Sequence, residues 1–293
     1  MSSLSDVGEL GLLRELEARG LAGPIGDDVA VLGDGLVVTQ DALVERVHFR
    51  LDWISWRDLG YKAAAVNLSD LAAAGAEPEA LIVSLALPLE TLMDDVLELY
   101  EGLNEPGVAV RGGDTAAADR VYLSVTALGR GERVPGRGGA RPGDLLVVTG
   151  PLGGSAGGLA ALRRGLTGFD ELVRLHNRPP LRVDQGRALA RVAHALIDLS
   201  DGLATDARHL ADRSGCAIEI AVEHLPVAPR IEEVGDEPFW TLGEDYELLA
   251  ALAPDDAQAA GFPVIGTCVE GRGVRITLHG EPLELRGFEH FRS

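Results

Sequence analysis

The sequence predicts an α+β (mixed α/β) fold in two domains, on three observations. Strand-like and helix-like segments alternate irregularly, with some strand pairs joined by hairpins. No strand–GxGxxG–helix unit is present, which argues against a doubly wound Rossmann sheet. Residues 131–144 carry five glycines and two prolines with no apolar period, so they mark a crossing between domains. The expected division is 1–136 and 137–293.

Taken in order, residues 4–19 place apolar side chains at helical spacing and read as an amphipathic helix. Residues 29–32 and 36–39 are apolar bursts around Gly33-Asp34-Gly35, a hairpin with a three-residue turn. Residues 56–74 read as an alanine-rich helix, 80–87 as a strand and 91–103 as a helix; 108–110 and 121–128 read as strands. Beyond the crossing, 145–149 is a strand, followed by the glycine-rich turn 150–155 and a helix from about Ala156. Residues 183–195 are helical, and 197–203 open another helix that stops at Gly215. Strands are expected at 217–222, 246–251 and 273–278.

An apolar fraction of 46% suits a well-filled core. No apolar run approaches the ~18 residues that a bilayer requires. The first ten residues include Asp6 and Glu9 and lack a basic region, so no secretory signal is read there. The two cysteines, Cys216 and Cys268, sit in no CxxC and read as core residues in a reducing cytoplasm. A net charge of −20 argues against nucleic acid and anionic membranes as partners. If the ligands are phosphates, something cationic must reverse the local field, and bound metal is the obvious candidate, since basic residues are few and nearly all arginine, Lys62 being the single lysine.

The informative feature is where the acids fall. Asp27 and Asp28 precede the first hairpin strand and Asp41 follows the second, so a three-residue turn sets Asp27 opposite Asp41. Like charges paired across strands are destabilising, so this end of the hairpin calls for a cation. A solvated turn would explain the three acids taken alone, but their flanks are apolar. Asp70 lies in a helix of nearly unbroken small apolar residues, where an ionised carboxylate is costly unless paired or metal-bound. Asn67 and Lys62 lie one and two turns before it, so a Lys62–Asp70 salt bridge is the alternative without metal.

Three further segments share that character: Gly112-Gly113-Asp114-Thr115, Asp198-Leu199-Ser200-Asp201-Gly202 and Gly243-Glu244-Asp245-Tyr246-Glu247. Each sets acids beside glycine or small residues at an element's end. Hard cations such as Mg²⁺ take such oxygen ligands together with water and phosphate. HExxH, EF-hand, Walker A and protein-kinase patterns are all missing. ATP, if bound, is therefore bound through metals that aspartates hold.

Gly26-Asp27-Asp28, Thr39-Gln40-Asp41, Val44-Glu45-Arg46-Val47-His48-Phe49, Val66-Asn67-Leu68-Ser69-Asp70, Gly112 to Thr115, Asp198 to Leu203 and Gly243 to Leu248 resemble, in this order, the thiamine-monophosphate kinase family. The resemblance runs over nearly the whole chain. It implies a two-domain fold like that of aminoimidazole ribonucleotide synthetase. The first domain would bind metal and ATP and dimerise through its mixed sheet; the second is α/β. It further implies several Mg²⁺ ions, ATP as co-substrate, and conversion of thiamine monophosphate to thiamine diphosphate. By motif match Asp28, Asp41, Asp70, Asp114 and Asp198 are metal ligands, with Thr39 supporting, Gln40 offering a carbonyl oxygen and Asp201 holding a further ion. Gly113, Asp114, Arg141 and Ser200 match ATP contacts; His48, Glu244 and Phe288 match acceptor contacts, with Trp240 as a further aromatic candidate.

Four departures stand out: Gln40 where threonine is usual, Arg46 where glycine is usual, Gly154 where aspartate is common, and Ala116-Ala117 where polar residues are usual. No general base is expected, since the attacking phosphate oxygen is mostly deprotonated at neutral pH (second pKa about 6). The alternatives are an aminoimidazole ribonucleotide synthetase-like ligase and a non-catalytic binder of nucleotide and metal. The related selenophosphate synthetase and hydrogenase-maturation readings each want a cysteine near a terminus, and none is there.

Overall fold

The computed structural model describes residues 3–23, 25–235, 238 and 242–283, and every structural statement concerns these. Trp240 and Phe288 lie outside them.

The N-terminal half runs α1 (Leu4–Ala18), β1 (Ala30–Gly33), β2 (Leu36–Val44), α2 (Trp56–Ala73), β3 (Glu77–Leu87), α3 (Met93–Asn104), β4 (Val110–Ala117) and β5 (Tyr122–Arg130). Its strands form one sheet in the order β1-β2-β5-β3-β4, antiparallel except for the β3/β4 pair. Strand alternation sorts the two faces. Leu81, Val83 and Leu85 of β3 are buried with Val37, Leu43, Leu123, Val125 and Ala127 on the face that α2 covers. Ile82 and Ser84 point to the other face, which is open.

The hairpin turn is two residues long, not three. Asp34 (φ 49°) and Gly35 (φ 73°) both take the left-handed conformation, as an Asp-Gly type I′ turn requires, and Gly33 pairs with Leu36. The ladder ends at Ala30, paired with Val38, so Asp27 does not face Asp41. Asp41 pairs instead with Val125 of β5. β4 also runs well past Val110, carrying the whole Gly-Gly-Asp-Thr segment along the sheet edge.

Ser55 caps α2 by accepting the Asp58 N–H at 3.0 Å. Ala63, Ala64, Ala65, Ala72 and Ala73 are all buried, because α2 packs on the sheet by one side and on the C-terminal half by the other. A helix enclosed on both sides has no polar stripe, which explains its composition.

The C-terminal half runs β6 (Leu145–Val148), α4 (Gly154–Arg164), α5 (Asp170–Asn177), α6 (Val183–Ala190), β7 (Ala195–Asp198), α7 (Leu203–Ser214), β8 (Ala217–Ala221), β9 (Leu248–Leu252), α8 (Pro254–Ala260), β10 (Val264–Val269), β11 (Gly273–Leu278) and β12 (Glu281–Pro282). The sheet order is β12-β11-β8-β10-β6-β9-β7, with only β11 and β8 parallel. The helix expected to reach 195 stops at Ala190, and the buried run at 195–198 is a strand. The next helix starts at Leu203, so residues 199–202 are loop. α5, α8 and the central strand β10 were not expected from the sequence.

The halves are tied by polar contacts around α2. Arg178 donates to Asp58 at 2.8 Å, pairs with Glu105 and stacks 3.9 Å above the Tyr61 ring. Asn177 donates to the Trp53 carbonyl at 2.9 Å, and Tyr61 Oη to the Pro179 carbonyl at 3.2 Å.

Arg46 sits in the turn after β2 with φ of 66°. That left-handed conformation costs a side-chain-bearing residue about 1 kcal/mol relative to glycine, which gives the physical reason for a glycine at this position. Arg46→Gly is therefore expected to raise the melting temperature by about 1–2 °C in a thermal scan. A lower melting temperature would contradict this.

Candidate functional site

Three elements converge on one acidic cluster. Asp28 comes from the segment before β1, Asp70 from the last turn of α2 and Asp198 from the end of β7. One carboxylate oxygen from each lies within 4.8 Å of the others. Thr39 Oγ1 donates to Asp70 at 2.5 Å and Ser69 Oγ to Asp198 at 2.7 Å; Ser200 Oγ donates to the other Asp198 oxygen at 3.4 Å. Asn67 braces the frame by accepting the Asp41 N–H at 3.0 Å and donating to the Ala63 carbonyl at 3.0 Å.

Among the described residues one cationic side chain bonds to this cluster. Arg137, from the glycine-rich crossing, donates Nη2 and Nε to Asp28 at 2.6 and 3.1 Å, and its backbone N–H to Asp27 at 2.8 Å. The charge does not balance. Burial, then the charges of Asp41, Asp198 and Asp28, holds the Asp70 carboxyl well above the usual range. Asp198 is pushed up to about 8 by burial and then Asp28. Asp41 rises to about 6 through burial, Asp28 and Asp201. Burial also raises Asp28, against the lowering effect of Arg137. Buried carboxylates with one guanidinium among them are costly to ionise until further positive charge arrives. The donors are all oxygens, which suits a hard divalent cation rather than zinc.

A second loop braces the first. Glu244 N–H donates to the Ser200 carbonyl at 2.8 Å, Tyr246 N–H to Leu199 at 3.0 Å, and Leu199 N–H to Glu247 at 2.8 Å. A Cβ on Gly243 (φ 81°) would stand 2.4 Å from the Ser200 oxygen, so only glycine fits this crossing. Glu244 (φ 58°) and Tyr246 (φ 51°) are left-handed, so successive acids point in opposite directions. Asp245 turns into the C-terminal half and accepts the Gly153 and Ser155 N–H groups at 2.7 and 3.3 Å; burial pushes it up to about 7. Glu247 is gripped by Arg182 through both oxygens at 2.6 Å. Glu244 turns towards α2 and meets Lys62 Nζ at 3.3 Å and His176 Nδ1 at 3.4 Å. The Lys62–Asp70 salt bridge considered from helical spacing is thus not formed; Lys62 pairs across the domain junction.

The other candidates fall elsewhere. Gln40 alternates to the open face of the sheet, where its amide donates to Ser124 at 2.6 Å, so its side chain is not in the cluster. Asp114 pairs with Ser84 on that same open face, and Gly113 is beside it on the exposed edge strand β4. Arg141 has an exposed side chain; its backbone is tied to Asp144, its N–H donating to the carboxylate at 2.8 Å and its carbonyl accepting the Asp144 N–H at 3.0 Å. His48 Nδ1 accepts the Val44 N–H at 3.0 Å in the turn after β2. Arg137 and Ser69 were not singled out from the sequence. Arg137 lies within the crossing flagged for its glycines, but nothing in composition separates it from Arg133 or Arg141.

Two family models cover most of the chain: AIR synthase related protein, N-terminal domain, over residues 26–131, and the C-terminal domain over 141–279. The thiamine-monophosphate kinase of Aquifex aeolicus is 35% identical over 98% of this chain and 99% of its own. The chain belongs to the thiamine-monophosphate kinase family. A family member from Mycobacterium tuberculosis is 36% identical over 99% of this chain and 93% of its own. A solved structure of the family, AaThiL complexed with AMPPCP and TMP, matches with a TM-score of 0.91 and 34% identity over 99% of both chains. The two-domain, mixed α/β architecture expected from the sequence is that of this family. Among the described residues no helix is long and apolar enough to cross a membrane.

Proposed function

We propose that this chain transfers the γ-phosphoryl group of ATP directly to the phosphate of thiamine monophosphate, giving thiamine diphosphate. The observation that carries the reading is the buried, charge-unbalanced cluster of Asp28, Asp70 and Asp198. Its oxygen donors fit Mg²⁺, with Asp41, Thr39 and Asp201 around it. When bound, the metal supplies charge neutralisation and a template for bringing two polyanions into line.

The chain's own residues do the rest. Thr39 and Ser69 fix the Asp70 and Asp198 carboxylates and Asn67 braces the Asp41 backbone, so that little reorganisation is needed when the ligands arrive. Arg137 is positioned to donate to phosphate oxygens, a role that its placement supports better than that of Arg141. Ser200 lies on the nucleotide side. Glu244, His48 and Phe288 serve the acceptor, whose thiazolium is cationic. No side chain needs to remove a proton from the attacking oxygen, because a phosphate monoester is mostly dianionic at neutral pH (second pKa about 6). Gln40 has no direct part, since its amide is committed to Ser124.

Two copies assemble through the open face of the five-stranded sheet. Ile82 and Tyr122 are partly exposed there, and every residue of β4 after Val110 is exposed. Gly113 and Asp114 then reach nucleotide and metal at a subunit junction rather than within the cluster. Light scattering is expected to give the mass of two chains. The buried thiols Cys216 and Cys268 suit a cytoplasmic enzyme.

The test is purified protein with ATP, Mg²⁺ and thiamine monophosphate, read as thiamine diphosphate formed and ADP released in equal amounts. ATP consumption only with formylglycinamidine ribonucleotide would overturn the reading, and a phosphorylated protein intermediate would overturn direct transfer.

A further inference from the structure

Lys62 is the chain's single lysine, and its side chain is 1% exposed. It sits on α2 eight residues before Asp70, about 12 Å along the helix axis at 1.5 Å per residue. Among the described residues Glu244 is its one salt-bridge partner, across the junction between the two halves. A buried ammonium is a costly group to keep for stability alone, because desolvation offsets most of what a single ion pair returns.

The surroundings show what the pair fixes. Glu244 stands at φ 58° on the loop that pins residues 199–202. Its backbone is set by the Ser200 carbonyl and its neighbour Asp245 is anchored by the N–H groups of Gly153 and Ser155 at the start of α4. Its side chain is 28% exposed, and both of its contacts, Lys62 Nζ and His176 Nδ1, fall on Oε2. His176 is itself buried and bonded to Ser155 Oγ at 3.0 Å. Lys62 therefore holds Oε2, with His176 packed beside it, and the partly exposed carboxylate stays open to a ligand. The same rigid helix carries Asp70 in the acidic cluster at one end and the clamp on Glu244 two turns away.

We infer that Lys62 is a positioning residue for acceptor recognition, holding Glu244 so that its carboxylate meets the cationic ring at a fixed distance from the phosphoryl-transfer centre. This rests on the reading that Glu244 serves the acceptor. On this account Lys62 touches neither ATP nor the reacting phosphates. Losing it loosens binding of thiamine monophosphate and leaves nucleotide binding and the transfer step intact.

The test is a double-mutant cycle on steady-state constants. Lys62→Met is expected to raise KM for thiamine monophosphate about tenfold, with KM for ATP and kcat within about twofold. In a Glu244→Gln background the same change is expected to add less than twofold. A full tenfold effect in that background, or a loss confined to kcat, would overturn the positioning role. An unchanged acceptor KM in Glu244→Gln alone would instead remove its premise, that Glu244 serves the acceptor. A second measurement needs no variant at Lys62. With ¹³C-lysine labelling the whole chain gives one ε-methylene resonance. That signal is expected to shift on adding thiamine monophosphate and in Glu244→Gln, but not on adding ADP. A signal indifferent to both the acceptor and Glu244→Gln would overturn the proposal even if Lys62→Met fails to fold.

Discussion

Replacing Asp70 by Asn is expected to lower the rate of thiamine diphosphate formation by at least a thousandfold while leaving the protein folded. Asn keeps an oxygen that can accept the Thr39 hydroxyl, now at 2.5 Å, and it keeps the volume inside α2. What it removes is a negative charge that burial and three neighbouring aspartates already disfavour. If that charge serves only structure, the variant should lose stability and keep its rate in proportion to the folded fraction. If it serves a divalent ion, the signs separate. The metal-free variant should melt at or above the wild-type temperature at pH 8, because a carboxyl whose pKa burial and its neighbours raise on folding destabilises the fold there, and Asn does not titrate. A variant that melts lower and keeps most of its rate would count against the metal reading.

The second large effect is the coupling of stability, pH and metal. The folded-state values of Asp198 and Asp41 are raised to about 8 and about 6, from 3.8. Between those limits the native protein holds protons that the unfolded chain has released, so stability falls as pH rises. The contribution is fully present below about pH 4 and is lost progressively through pH 6 and pH 8. A divalent ion competes with those protons. Its stabilising effect should thus be small near pH 5 and grow to about 5 °C near pH 8, with ion at about a hundred times its dissociation constant. Differential scanning fluorimetry with EDTA or Mg²⁺ across that range reads it directly. A metal-induced shift that is flat with pH, or larger at pH 5, would show that the ion binds away from these carboxylates.

Much of this site is legible in the sequence because burial and charge conflict there in plain view. Asp70 stands among buried alanines and Asp198 ends a buried run, so burial and charge conflict at both positions. The unpatterned crossing flagged for its glycines supplies Arg137 to the site. What did not come through depends on long-range geometry. Periodicity alone put Lys62 with Asp70 on one helix face, yet the fold offers Lys62 a partner 182 residues away. Gln40 and Asp41 are neighbours in a motif but strand alternation sends them to opposite faces of the sheet. Asp114 looked like one more member of the cluster until its strand took the outer edge. β10 has the β-branched residues of a strand, bounded by Gly261 and Gly271, and that signal was there to be read. α5 and α8, by contrast, are short helices set by packing more than by pattern.

The central claim is that Asp28, Asp70 and Asp198 hold a divalent ion on the path of phosphoryl transfer. The most direct test is a crystal grown with Mn²⁺ and a non-hydrolysable ATP analogue, measured for anomalous scattering. The account predicts a peak within coordination distance, about 2.2 Å, of oxygens from these three carboxylates. It also predicts Arg137 drawn off Asp28 towards the nucleotide phosphates. Peaks elsewhere, with the Arg137–Asp28 pair intact and no ion among the three aspartates, would contradict it.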